Sequence, residues 1–349
     1  MTAPVRDQPV ILSEPDDSAW DDFVARHDGS SIYHLSAFRH IIAGQFRHEP
    51  HYLSARDNEN NITGILPLIR LKSRLFGDYI VSMPYFNYGG VLGNSSDTEQ
   101  HLMKAAADKA AELGCSHIEF RHTQSLPGDW PARTDKVVMK LGLPDSADML
   151  WKHVGPKLRA QVRRPQKEGA TARSGGVELL DAFYRVFSIN MRDLGTPVYP
   201  KSFFAKLLRA FPAQAHILVV ELQGRPVAAA FLLGFRDTLE IPWASSLRAM
   251  NKYSVNMLLY WEALEFAIEK GYRRFDFGRS STDSGTYRFK KQWGAEPEQL
   301  YWHYWLSDGS EIPLLTPNNP KYRLAIRAWQ NMPVFLANWL GPRIIKNLP

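Results

Sequence analysis

The sequence predicts an α+β protein built from two tandem modules, each a mostly antiparallel mixed sheet flanked by helices. Three observations carry this. The chain has 349 residues, more than one ordinary hydrophobic core serves. The same order of elements (helix, β-hairpin, strand, helix, strand) can be read twice. Finally, Glu112-Leu113-Gly114 and Glu269-Lys270-Gly271 stand 157 residues apart, each closing a long helix before a short strand.

In the first half, Ile32 to Phe46 has the pattern of a short helix, followed by a strand at His51 to Arg56. Asn58 to Asn61 is a hairpin turn, because Asn tolerates positive φ. A second strand is expected at Ile62 to Leu71 and a third near Tyr79 to Met83. Glu99 to Leu113 sets Leu102, Ala106, Ala110 and Leu113 at helical spacing, and Gly114 stops that helix. His117 to Arg121 is a short strand. The second half repeats the order: helix Lys201–Phe211, strand His216–Glu221, turn Leu222–Arg225, strands Pro226–Phe235 and Leu239–Ala244, helix Val255–Lys270, and strand Arg274–Gly278. These limits place an N-terminal module at 1–150, a second module opened by a basic helix at 151–311, and a basic amphipathic tail at 312–349.

Hydrophobic residues make up 44% of the chain and charged residues 22%, which excludes a disordered chain, a collagen-like fibre and a coiled coil. The longest apolar run, Val227 to Phe235, is far short of the roughly 20 residues a membrane helix needs. MTAPVRDQPV lacks the apolar centre of a secretory leader, so a cytoplasmic protein is expected. The single cysteine, Cys115, excludes an internal disulfide and reads as a core residue. His48/His51 and His117/His122 are the histidine pairs to weigh for a metal, and no acid or cysteine spacing completes either. No metal site is predicted. Gly-x-Ser-x-Gly, Walker A and dinucleotide fingerprints are absent.

The net charge of +6 is localised. Lys152 to Arg173 carries seven Lys/Arg and one acid, and Ile312 to Pro349 carries five bases and no acid. The remainder is slightly acidic. Two basic segments on such a body are places where an anion could be met, or else solvated faces. On the first, Leu158 and Val162 share a helical face with Arg159 and Arg163 at its edge, and Pro165 is expected to end or kink the helix near Arg164. The tail sets Leu324, Trp329, Phe335, Leu336 and Trp339 beside Arg323, Arg327, Arg343 and Lys346, broken by Pro333 and Pro342. It suits either packing on its own domain or peripheral contact with an anionic membrane surface, at the inner membrane face.

A family resemblance enters on these residues. Trp261-Glu262-Ala263 through Gly271, then Phe275-Asp276-Phe277-Gly278, then Gly285 followed by Phe289-Lys290-Lys291-Gln292-Trp293-Gly294, resemble the C-terminal signature of the Fem peptidyltransferases, whose fold is two GNAT-like (acyl-CoA N-acyltransferase) modules in tandem. Tyr85 to Val91 stands where that family has an Arg-Gly-Pro-Val turn, with Tyr88 and Gly90 replacing Arg and Pro. The sequence is most similar to the FemAB-like branch associated with exosortase (PEP-CTERM) and exopolysaccharide loci. The resemblance implies direct transfer of an aminoacyl or acyl group to an amine of a peptidoglycan or exopolysaccharide precursor, with no covalent enzyme intermediate and no tightly bound cofactor. The donor would be aminoacyl-tRNA or acyl-CoA, and tRNA and an anionic, lipid-linked precursor are the implied partners; DNA is not.

Such chemistry needs a positioned amine, an oxyanion donor and a proton acceptor. Lys290 matches the lysine of the family's Phe-Lys motif and is expected to serve the carbonyl oxygen or a donor phosphate, with Phe289 and Trp293 anchoring a short helix and Lys290 pointing away from that anchor. Otherwise Lys290-Lys291 is a solvated pair on a surface turn. Asp276 lies on the opposite strand face from Phe275 and Phe277, as a base or an orienter of the amine, or as an ordinary ion-pairing residue. Arg159 and Arg163 suit an anionic acceptor or RNA. Arg248-Ala249-Met250-Asn251-Lys252-Tyr253-Ser254 stands where GNAT enzymes cradle the CoA pyrophosphate. Arg248 fits, Asn251 could adopt positive φ, and Lys252 could meet a phosphate, but Tyr253 replaces a small residue and disfavours CoA. Asn87 and Tyr88 would line an acceptor groove. Trp302, within Tyr301–Trp305, either packs in a core or stacks on a sugar or base. A non-catalytic binding module of an exopolysaccharide or membrane assembly is the competing function.

Overall fold

The computed structural model of the chain describes residues 10–13, 16–74, 76–308, 311–313 and 320–348. Residues 1–9, read above for a leader, and 314–319, at the start of the basic tail, lie outside the described residues. The described residues form two compact units: those within 10–134, 299–313 and 347–348 make one, and those within 135–298 and 320–346 the other.

In the first unit a six-stranded sheet runs in the order Glu49–Pro50, Ile69–Ser73, Gly77–Val81, His117–His122, Tyr301–Leu306, Ala132–Arg133. A four-stranded sheet is formed by Val10–Ser13, Leu53–Arg56, Ile62–Leu66 and Leu92–Gly93. Ile62 to Leu71 is therefore two strands in two sheets. Pro67 supplies no ladder donor, which divides them. The hairpin turn is as expected: Asn60 takes φ +67° and the Asp57 carboxylate accepts the backbone N–H of Glu59 and Asn61. Helix Ser96–Glu112 starts on the Ser95 side chain, which accepts from Thr98 N, and buries Leu102, Met103, Ala106 and Ala110 against Ile80, Ile118 and Phe120. Cys115 lies in that same core.

The second unit is built on a seven-stranded sheet: Thr171–Gly175, Ala215–Leu222, Arg225–Phe235, Thr238–Ser246, Arg274–Ser281, Lys136–Gly142, Glu296–Gln299. The Leu222–Arg225 hairpin has φ +53° at Gln223 and +67° at Gly224, the two-residue turn that matches strand twist. Helix Val255–Glu269 covers the sheet with Val255, Leu258, Leu259, Ala263 and Phe266. The repeat is real at the level of pairing. Each unit holds a parallel pair beside antiparallel neighbours: Ile80 and Val81 beside Ile118 and Glu119, and Thr238 to Glu240 beside Arg274 to Asp276.

The compact units do not follow the boundaries 1–150, 151–311 and 312–349. Lys136–Gly142 pairs with Arg274–Ser281 in the second unit, and Tyr301–Leu306 pairs with His117–His122 in the first. Alternation marks a segment as a strand, but nothing local tells it which sheet to join. Among the described residues, three α-helices without an expected counterpart, Asp17–Arg26, Ala147–His153 and Leu180–Leu194, complete the units. Helix Pro156–Lys167 runs three residues past Arg164, with Pro165 in its last turn, where it removes one bond. Pro342 does not break the tail, since Val334–Ile345 is one helix. Pro333 does mark its start, as N-cap.

Candidate active site

The parallel pair of the second unit opens into a fork. Thr238–Ser246 is nine residues long and Arg274–Ser281 eight, yet they pair only over Thr238–Glu240 and Arg274–Asp276. Beyond Glu240, the first strand bonds outward to Arg225–Phe235, through Phe231↔Trp243 to Ala228↔Ser246. Beyond Asp276, the second bonds outward to Lys136–Gly142, through Val138↔Arg279 to Lys136↔Ser281. Residues 241–246 and 277–281 thus form two strand edges that share no ladder. This is where a chain-like ligand could add main-chain hydrogen bonds.

Three ionisable side chains are buried at the apex. Glu240 and Asp276 are register partners and are 6% and 2% exposed. Asp276 Oδ1 accepts the Gly278 N–H at 2.7 Å, holding a bulge where Gly278 takes φ +75°. Lys290 is buried, and its Nζ donates to Gly278 O and Arg279 O, both at 2.9 Å. Burial lowers its ammonium to about 8, and the attraction of Asp276 and Glu240 opposes that fall. An ammonium has three donors, and two go to main chain. Nearby, Ser280 Oγ is buried with no hydrogen-bond partner among the described residues, and Asn190 Nδ2 donates to Ser245 Oγ at 3.1 Å.

Lys290 is therefore buried and not a member of a solvated lysine pair. Helix Gly285–Lys291 turns it inward onto the strand, while Trp293 is buried and Gly294 ends the turn at φ +91°. Lys291 is the exposed member of the pair. It lies on the wall of a cavity of about 510 Å³, with Leu141, Leu150, Val154 and Trp293 as apolar lining and His153 and Gln292 as polar lining.

At the far end of the fork the chain passes from Ser246 into the 3-10 turn Arg248–Tyr253 and then helix Val255–Glu269. Arg248 and Lys252 are exposed there, with Lys252 Nζ 4.9 Å from the centre of the Tyr253 ring. The positive φ that Asn251 could have adopted falls instead on Ser254, at +61°. A 3-10 turn carries Asn251 through a right-handed conformation, so the change of hand occurs at the junction with the helix. Arg159 and Arg163 lie on helix Pro156–Lys167. Arg159 Nη1 donates to Trp151 O and Val154 O, closing the end of helix Ala147–His153, while Arg163 is exposed with its guanidinium over the Trp151 ring.

Asn87, Tyr88 and Trp302 belong to the first unit. Trp302 is buried on strand Tyr301–Leu306 with the Arg121 guanidinium 4.5 Å from its ring centre, which is core packing. Tyr88 is buried and Asn87 half-buried in the loop ahead of Val91. That loop is held from beneath: Arg121 donates to Met83 O and Phe86 O, and Val91 N donates to His122 Nε2. A Cβ at Gly90 would sit 2.1 Å from His122 Cδ2. Gly90→Ala is expected to cost about 1–3 kcal/mol through overpacking, read as a lower urea midpoint. An unchanged midpoint would mean that the loop is not held as described.

Sequence reasoning missed Glu240 and Arg121. Glu240 carries the same signal as Asp276, an acid between apolar strand residues, here Leu239 and Ile241. Among the described residues, no group of three or more His, Cys, Asp or Glu could hold a metal ion, and no helix is long and apolar enough to cross a membrane.

Residues 156–291, which contain the fork, match the family model of an acetyltransferase (GNAT) domain. No curated protein matches the chain. Among solved structures it is similar to FemX, at 14% identity and TM-score 0.62 over 91% of this chain and 100% of that one. It is similar to L-PGS from Bacillus licheniformis, at 13% identity and TM-score 0.57 over 91% and 98%. A tandem GNAT protein from the clavulanic acid biosynthesis pathway gives 13% identity and TM-score 0.53 over 87% and 99%. The chain thus has the fold of tandem GNAT proteins, with residues 156–291 similar to an acetyltransferase (GNAT) domain.

Proposed function

We propose that this protein is an N-acyltransferase that passes an aminoacyl or acyl group to an amine on a cell-envelope precursor, of peptidoglycan or of an exopolysaccharide, at the cytoplasmic side. The observation that carries this is the fork, with its buried Lys290, inside the segment that matches an acetyltransferase domain. The acyl chain would lie between the edges 241–246 and 277–281. The amine nitrogen attacks the carbonyl carbon, the new C–N bond forms, and the C–O bond of a tRNA ester or the C–S bond of a thioester breaks. Lys290 would give its third N–H to the oxyanion, and Asp276 or Glu240 would take the proton lost by the amine. Arg248 and Lys252 would meet donor phosphate, and Arg163 and Lys291 an anionic acceptor, with Arg159 positioning the helix that carries Arg163. The resemblance of the Phe275–Gly278 and Phe289–Gly294 segments to the Fem peptidyltransferases supports an envelope acceptor, and FemX and L-PGS are similar in fold.

Incubation with acyl-CoA or charged tRNA and envelope amines, followed by mass spectrometry, tests this. An amide product is expected, and Arg248→Ala/Lys252→Ala should raise the KM for the donor about tenfold with kcat little changed. Absence of product with either donor counts against an enzyme. One observation favours a non-catalytic binding module instead: two Lys290 donors are held by main chain. That role predicts glycan binding with no acyl product.

A further inference from the structure

The tail helix Val334–Ile345 is two-faced in an unusual sense. Its inner face steps by four through Ala337, Gly341 and Ile345, all buried. That face is pressed against the second unit, since a Cβ at Gly341 would lie 2.7 Å from Val198 N. Its outer face also steps by four, through Phe335, Trp339 and Arg343. Phe335 is 71% exposed, Trp339 59% and Leu336 37%. On the preceding helix, Pro320–Gln330, Leu324 is 78% exposed between exposed Arg323 and Arg327. Four of the seven large hydrophobic side chains exposed among the described residues are therefore in this tail. Both helices pack on helix Leu180–Leu194, so the tail is docked rather than loose.

Exposed Phe and Trp on a helix whose other face is already buried still need a cover. The charge indicates which. Ile312 to Pro349 holds five bases and no acid, and the Arg343 guanidinium lies 4.3 Å from the centre of the Trp339 ring. A second copy of the chain seated face to face would set these bases against their own kind. A bilayer rich in anionic phospholipid meets both features, taking the aromatic rings at the headgroup boundary and the bases at the phosphates. We infer that the outer face of the two tail helices is a membrane-surface docking site for anionic lipid.

Co-sedimentation of the full chain with vesicles of phosphatidylglycerol and phosphatidylcholine, beside vesicles of phosphatidylcholine alone, tests this without any measure of acyl transfer. Binding to the anionic vesicles only is expected, weakening as salt rises. Phe335→Glu/Trp339→Glu should lower the partition coefficient more than about tenfold. Arg323→Glu/Arg327→Glu, which leaves the apolar face intact, should lower it roughly fivefold per base. All four side chains are exposed, and circular dichroism checks that each variant is folded. Equal binding to both vesicle types, no binding, or undiminished binding by the two variants would overturn the inference. So would a dimer in sedimentation velocity that Phe335→Glu/Trp339→Glu abolishes without any vesicle binding, because the face would then be an interface between copies.

Discussion

Lys290→Met is expected to slow acyl transfer by about 10²-fold or more and to lower the unfolding free energy by about 3–5 kcal/mol. The stability loss has two sources. Gly278 O and Arg279 O lose the donor they share, and the buried Glu240 and Asp276 lose the ammonium beside them. Most of the cost is the penalty of groups left behind rather than the net worth of an ion pair. The ammonium is lowered from 10.5 to about 8 in the folded chain, so between those values the unfolded chain binds the proton and the folded chain does not. Stability from Lys290 therefore rises with pH across that window. Transfer that needs the charged form falls as pH passes about 8. Urea unfolding and single-turnover rates on the same pH series should move in opposite directions. Lys290→Arg stays charged throughout, and the falling limb near pH 8 should vanish in it. A limb that survives in Lys290→Arg assigns the titration to another group.

Arg121→Met should cost about 3–5 kcal/mol of unfolding free energy and loosen the loop from Met83 to Val91. Arg121 is 4% exposed and bonds Glu119, Met83 O and Phe86 O from one guanidinium. Glu119 also accepts the Tyr304 hydroxyl at 2.6 Å. Glu119 stands 157 residues before Asp276 and occupies the same place beside its own parallel pair. The repeat thus put an acid at both apices, balanced by Arg121 in the first unit and by Lys290 in the second. Removing Arg121 releases the carbonyls that set the loop carrying Asn87 and Tyr88. Urea titration reads the stability, and amide hydrogen exchange over Met83 to Val91 reads the loop. A change below about 1 kcal/mol would show that water satisfies Glu119 and that the loop does not depend on Arg121.

Much of this was legible before any coordinates. The helices before Gly114 and Gly271 show in spacing and stop signals, and the hairpins in Asn60 and Gly224, because those features are local. Asp276 stood out because alternation sets it on the opposite strand face from Phe275 and Phe277, whose ring centres lie 4.8 Å apart. What was not legible is long-range. The exchange of Lys136–Gly142 and Tyr301–Leu306 between sheets depends on partners well over a hundred residues away. Lys290 beside Lys291 looks like a solvated pair until the short helix turns one of them onto the bulge at Gly278. Arg121 at a strand end looks exposed until the loop folds over it. Nothing in the sequence showed that Trp151 O and Val154 O would take two of the five donors of Arg159.

The fork itself can be tested by photolabelling. An acyl donor carrying a diazirine in its acyl chain, as CoA thioester or tRNA ester, is bound, irradiated, and the labelled peptides are mapped by mass spectrometry. Labels should fall within 241–246 or 277–281, and unlabelled donor should compete them away. Competable labelling confined to other segments, in a protein that still turns over, would contradict a transfer site between those two strands.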